Sequence, residues 1–210
     1  MPMTTTASVP RRGVPIVVSA PSGGGKTTMC RQLTAHLDNI ASSVSHTTRA
    51  PRPHEKPGED YHFVDEEGFQ TLIRQGSFLE WAKVYGRFYG TTLGEAHGRL
   101  AAGVDVLFDI DVQGGRQILQ KLPEAVLVFV VPPSMGELER RLRGRKSDTS
   151  EQIALRLQAA ATEIQAATFY THWIVNDSLP QAVRELETIV CSERLRHIDK
   201  TALMQQVLAS

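Results

Sequence analysis

Four short, nearly unbroken aliphatic runs punctuate the chain, at residues 14–19, 104–110, 125–131 and 172–175. Runs of this length without polar alternation predict strands covered on both faces, the pattern of a parallel sheet. Between them the apolar positions fall at helical spacing. Met29, Leu33 and Leu37 recur at four-residue steps after the first run, and residues 94–102 end at Gly103, a residue suited to stopping a helix. Ser134 and Glu137, then Thr149 and Gln152, have capping-box spacing. They predict two more helix starts, the second opening a longer helix with Ile153, Leu157 and Ile164 on one side. Residues 181–208 are helical by pattern. Strands alternating with helices imply right-handed crossovers and an α/β fold.

Two stretches break the alternation. Residues 43–92 carry a short helical pattern near 66–75 and aromatic strand-like pieces at 61–64 and 78–84, which predicts a small antiparallel insertion. At 140–150, Arg140, Arg141, Arg143, Arg145 and Lys146 crowd around Gly144 and form a second insertion.

Composition narrows the classes. The 210 residues suit one domain with insertions, and 41% hydrophobic content supplies a core without staples. The 23 basic and 23 acidic residues cancel, which argues against bulk electrostatic binding to nucleic acid or an anionic membrane. Of the 23 cations 17 are Arg, the residue better shaped for bidentate grip of phosphate or carboxylate, although a bias in codon usage would raise Arg as well. Cys30 and Cys191 lie far apart and suggest neither a zinc site nor a disulfide framework. No apolar run approaches 18 residues, and the Thr-rich residues 1–12 read as a loose tail rather than a signal peptide. A cytoplasmic protein is expected.

The chemistry concentrates in three places. First, Ala20-Pro21-Ser22-Gly23-Gly24-Gly25-Lys26-Thr27-Thr28 follows a buried strand and opens a helix. Glycines there let successive N–H groups converge into an anion nest, Lys26 would reach the β- and γ-phosphates, and the Thr27 hydroxyl suits Mg²⁺. Ala20 replaces the motif's usual first Gly, which is tolerable if its φ is negative. Second, Asp109 and Asp111 end an aliphatic strand on one face, where a buried acid needs a cation; Mg²⁺, directly or through water, would serve. Asp111 equally stands where it would cap a helix starting at Val112. Third, prolines between and after Arg49 and Arg52 would pre-orient two guanidinium forks toward one anion, unless the segment is only a basic turn. His46, His54 and His62 recur every eight residues, which fits neither a metal site nor one helix face.

These motifs, in order and at matching spacing, resemble the guanylate kinases of the nucleoside monophosphate kinase group over about residues 14–190. The resemblance rests on Ser-Ala-Pro-Ser-Gly-Gly-Gly-Lys-Thr, Ser-His-Thr-Thr-Arg-Ala-Pro-Arg-Pro-His-Glu, Gly-Glu-Asp-Tyr-His-Phe, Phe-Leu-Glu-Trp-Ala, Phe-Tyr-Gly-Thr and Phe-Asp-Ile-Asp-Val-Gln-Gly. Ala20 in place of Gly is a variant of bacterial members. The resemblance implies a P-loop parallel sheet with flanking helices (13–44, 93–133 and 158–210), a small mixed α+β GMP-binding insertion (45–92) and a short helical lid (134–157). It implies that Arg49, Arg52, Tyr61 and Tyr89 hold the GMP phosphate, with Glu55, Asp109 and Asp111 belonging to the same GMP site. Ser45, Glu80 and Thr91 would read the base: guanine presents N1–H and N2–H₂ to an ionised carboxylate, where adenine offers no N1–H. Residues 20–28 and Asn176 would hold ATP, with Mg²⁺ at Thr27 and, through water, Asp109. Arg141, Arg145 and Arg156 match the lid's phosphate-gripping arginines, unless they form a solvated helix face.

The implied reaction is phosphoryl transfer from ATP to GMP, and to dGMP, without a general base, because the acceptor is already an oxyanion. Its partners would be small molecules, not nucleic acid or membrane, and the sequence does not decide between monomer and homo-oligomer. Two rivals remain: a non-catalytic guanylate-kinase-like interaction module, and a kinase for another monophosphate. Asn176-Asp177 lacks the Asn-Lys-x-Asp pattern of GTPases, which argues against a G protein.

Overall fold

The computed structural model describes residues 9–84, 86–144 and 149–209. The first aliphatic run becomes β1 (Pro15–Ser19), the central strand of a five-stranded sheet in which all five residues are buried. Its neighbours are β7 (Asp105–Asp109) and β8 (Val126–Val131), flanked by β2 (Ile40–Ser42) and β9 (His172–Val175). Every pairing is parallel, with Val17 opposite Phe108 on one side and Leu127 on the other. The aliphatic runs thus mark four of the five strands. Three-residue β2 carries too little apolar pattern to announce itself.

Helices cover both faces, as strands without polar alternation require. One face packs on α1 (Lys26–His36) and α7 (Leu179–Arg196), through Met29, Leu33, Val183 and Leu186. The other packs on α3 (Leu93–Ala101) and α4 (Val112–Lys121), through Leu100, Ile118 and Phe108. Strand order runs outward from β1 in both directions, so the C-terminal end of β1 is a topological switch point, where such sheets bind ligands.

The insertion holds β3 (His46–Thr47), β4 (His62–Phe63), α2 (Glu66–Arg74), β5 (Phe78–Val84) and β6 (Arg87–Thr92). Its sheet is mixed rather than antiparallel, because β3 and β4 pair parallel while β6 runs antiparallel to both β3 and β5. Phe69, Phe78 and Phe88 stack into a separate small core beneath it. Beyond β8, α5 (Met135–Gly144) and α6 (Ser150–Ala166) enclose a third cluster of Leu138, Leu142, Ile153 and Ala160. Thr149 and Gln152 form both halves of a capping box. At Ser134 only one half forms, since the Glu137 carboxylate turns to Arg140 and Arg141.

Two expectations need correction. The helical pattern over 181–208 is interrupted: α7 ends at Arg196, and Asp199 caps a separate α8 (Lys200–Leu208) by accepting from the Ala202 N–H. The break arises because Ile198 forms a bridge with Arg11. Residues 10–12, expected within a loose tail, are therefore tied down. The wholly buried Asp105 carboxylate accepts from the Arg11 guanidinium, the Val14 N–H and Arg194 Nε (2.6 Å). Two cations and an amide compensate a charge too costly to bury alone.

Candidate active site

The turn from β1 into α1 has the backbone an anion nest needs. Gly23 and Gly25 both sit at φ +95°, a conformation that side chains resist. The loop has further reasons to lack side chains. A Cβ on Gly25 would lie 2.3 Å from Asn176 Nδ2, and one on Gly23 would press Leu138 and Leu142 at 2.9 and 3.0 Å. Gly25 is the N-cap of α1 and provides no side-chain cap, so the first N–H groups of the helix stay open to an anion. Ala20 is not among the positive-φ residues, and the condition for Ala at that position is met.

Asn176, expected to hold ATP, has a buried side chain that donates to the Gly24 carbonyl at 2.8 Å, bracing the loop from behind. The Asn176 carbonyl accepts from Arg141 Nη2 at 2.8 Å, which ties α5 to the same turn. Arg140 and Arg143 pair with Glu137 and Glu139 on the surface and do form a solvated face; Arg141, with 22% of its side chain exposed, does not. Arg156 is half-buried on α6, and Arg145 lies outside the described residues.

Two cavities open at the switch point. One of about 350 Å³ is floored by residues 20–28 and walled by Glu163. The other, of about 240 Å³, is lined by Ser45, Tyr61, Glu80, Tyr89 and Asp109. Lys26, Val84 and Asp111 line both. Lys26 Nζ donates to the Ile110 carbonyl at 2.7 Å and pairs with Asp109 Oδ1 at 2.6 Å, so the lysine stands on the shared wall. β7 ends at Asp109, which places Asp111 outside the strand. Asp111 caps α4 instead, accepting from the Gly114 N–H at 2.8 Å, while still facing both cavities.

Beside the second cavity Arg49 Nη2 donates to both oxygens of Glu55 (2.8 and 2.9 Å), and the guanidinium lies 5.4 Å from the ring centre of Tyr61, which lines that cavity. Glu55 also accepts the Arg52 N–H, so both its oxygens orient the arginine turn. The Arg49 hydrogen bonds, then the Arg52 amide, hold the Glu55 carboxyl below its ordinary range. Deeper in, Glu80 is buried and accepts the Thr91 N–H at 2.9 Å through Oε1, while the Ser45 and Thr91 hydroxyls meet at 3.0 Å. Burial pushes the Glu80 carboxyl up to about 7, against the opposing effect of the Thr91 hydrogen bonds.

Several residues of this site escaped the sequence reading. Gln117 on α4 pairs with both backbone groups of Trp81 (3.1 and 2.8 Å), and Lys121 donates to the Phe78 carbonyl at 2.6 Å, clamping β5 and its Glu80 to the core. Glu163, which walls the loop cavity, follows Arg156 two turns on along the same side of α6. Polar residues on helices are common, and no local pattern marks these.

The geometry joins an anion nest to a pocket that holds a buried carboxylate, with Arg49 standing against the Tyr61 ring on its wall. A match to the protein-family model described as guanylate kinase spans residues 12–193. The chain belongs to the guanylate kinase family. Among curated guanylate kinases it is 47% identical to that of Syntrophotalea carbinolica over 89% of each chain, and 44% identical to that of Rhodospirillum rubrum over 98% of this chain and 95% of the other. A solved structure, the guanylate kinase of Anaplasma phagocytophilum, superposes with a TM-score of 0.72 at 36% identity, covering 89% of both chains. Among the described residues no helix is long and apolar enough to cross a membrane.

The family's nucleotide chemistry raises the question of Mg²⁺. Among the described residues no three His, Cys, Asp or Glu cluster as a metal site. A nucleotide-borne Mg²⁺ needs few protein donors, since phosphate oxygens and waters complete its octahedron. The Thr27 hydroxyl in the loop cavity and the Asp109 carboxylate in the other, paired with Lys26 on the shared wall, are oxygen donors of the type that demand takes.

Proposed function

We infer that the protein is a nucleoside monophosphate kinase that catalyses ATP + GMP ⇌ ADP + GDP. The observation that carries the reading is the shared wall at Lys26 and Asp111, which sets a phosphate-binding loop against a pocket with a buried carboxylate. A phosphate oxygen of GMP bonds to the γ-phosphorus as the bond to the β–γ bridging oxygen breaks, and that oxygen leaves on ADP. The loop amides and Lys26 hold the donor; Arg49, Arg52, Tyr61 and Tyr89 hold the acceptor phosphate. Glu80, with Ser45 and Thr91, accepts from guanine and donates to its O6. Thr27 and, through water, Asp109 would hold the Mg²⁺ carried with ATP, which would neutralise phosphate charge when bound. Arg141, Arg145 and Arg156 would close over the transferred group, a role in which arginines contribute roughly 10³–10⁵ in rate. Asn176 and Glu55 are assigned to support, the first beneath the loop and the second behind Arg49.

A panel of GMP, dGMP, AMP, CMP and UMP with ATP and Mg²⁺, followed by ADP release, tests this reading. GMP is expected to turn over with kcat/KM about 10⁴-fold above AMP. No turnover with any acceptor would favour a binding module, and a preference for another monophosphate would reassign the pocket.

A further inference from the structure

The cluster behind Lys26 includes two buried hydroxyls that the reaction scheme leaves idle. Ser19, the last residue of β1, is wholly buried, and its Oγ donates to the Ile110 carbonyl at 2.9 Å. This is the carbonyl that Lys26 Nζ also holds, at 2.7 Å. Behind Ser19, the Tyr170 hydroxyl donates to Ser19 Oγ at 2.6 Å, joining residues 151 positions apart. Tyr170 follows the short turn that ends α6, so its hydroxyl crosses from the lid side of the molecule to the end of β1. Space is kept for it. A Cβ on Gly115 would lie 2.1 Å from the Tyr170 hydroxyl, in a helix where alanine would otherwise be the better residue. Burial pushes the Tyr170 hydroxyl up to about 12, so it remains a proton donor at neutral pH.

We propose that Ser19 and Tyr170 are positioning residues for Lys26, keeping the Ile110 carbonyl hydrogen-bonded so that the lysine can move to the phosphates without leaving a half-buried acceptor unpaired. The inference rests on the reading of Lys26 as a phosphate ligand. A half-buried carbonyl with one donor resists losing it; with two, it can release one at small cost. Tyr170 fixes the direction of the chain. By donating to Ser19 it leaves the single serine proton for the main-chain carbonyls, of which that of Ile110 at 2.9 Å is nearer than that of Asp111 at 3.3 Å.

The test is a binding cycle with a non-hydrolysable ATP analogue and Mg²⁺, measured by calorimetry on Ser19→Ala, Tyr170→Phe and each combined with Lys26→Ala. In the Lys26 background, Ser19→Ala is expected to weaken binding about tenfold and Tyr170→Phe severalfold, with KM for GMP within twofold of the parent. In the Lys26→Ala background both effects should vanish, because no lysine remains to be released. Equal losses with and without Lys26 would show that the hydroxyls only hold the fold, and overturn the proposal, as would unchanged binding in both backgrounds. Should Tyr170→Phe not fold, Ser19→Ala carries the cycle alone. GMP phosphorylation by the parent, and its loss in Lys26→Ala, report on the functional reading separately, so failure here leaves that reading standing.

Discussion

Replacing Lys26 by Ala should lower kcat for GMP phosphorylation by about 10³ or more, measured by coupled ADP release at saturating substrates. Two effects act in the same direction. The change removes the cation on the wall between the cavities, and it releases Asp109, whose carboxylate is paired with Nζ at 2.6 Å, to face the polyphosphate uncompensated. Stability should hardly move, because 28% of the Asp109 side chain is exposed and water can replace the lost partner. A variant that keeps its unfolding midpoint and loses turnover therefore locates the effect in chemistry. Turnover within tenfold of the parent would exclude Lys26 as a phosphate ligand.

Glu80→Gln should cost about 10³ in kcat/KM for GMP while leaving AMP turnover little changed, which collapses base selectivity. The direction follows from how the carboxylate is held. Oε1 accepts the Thr91 N–H, so the amide oxygen of glutamine takes that place and its NH₂ falls where Oε2 was. A donor would then meet the N1–H and N2–H₂ donors of guanine. Acidity adds a second signature. With its carboxyl pushed up to about 7 by burial, free Glu80 is largely protonated at pH 6, whereas guanine binds the ionised form. GMP binding then releases a proton, and KM for GMP should rise up to tenfold per unit as pH falls below 7. Ionisation of the GMP phosphate contributes to both proteins, so the part of the slope that disappears in Glu80→Gln belongs to this carboxyl. Identical pH profiles would mean that the base is read elsewhere.

What could be read from the sequence was local. The aliphatic strands, the glycine loop and the Thr149 cap each declare themselves within a few residues, because burial pattern and backbone requirement coincide there. The four residues to which the proposed reaction gives most weight (Lys26, Arg49, Glu80 and Asp109) were legible either from motif chemistry or from the family resemblance. Contacts between distant elements were not. β3 has two residues and β6 a polar face, and their pairing depends on where β5 returns after Gly86 at φ +78°. Asp111 illustrates the limit well: alternation puts it on the strand face of Asp109, yet the strand stops and the side chain caps α4. Its two readings, helix cap and cleft acid, turn out to be compatible. Asn176 and Glu55 were assigned to ligands because their neighbours are. The structure shows Asn176 bonded to the Gly24 carbonyl and Glu55 to Arg49, partnerships that only side-chain hydrogen bonds reveal. The link from Tyr170 to Ser19 spans the chain and leaves no local trace.

The most direct test of the two-cavity account is a crystal structure with adenosine and guanosine joined by five phosphates, which occupies donor and acceptor positions at once. The account predicts the phosphate chain running from the amides of Gly23–Thr27 past Lys26 to Arg49 and Arg52, with guanine within hydrogen-bond distance of Glu80. A guanosine end bound away from Glu80, or a phosphate chain that bypasses the glycine loop, would contradict it.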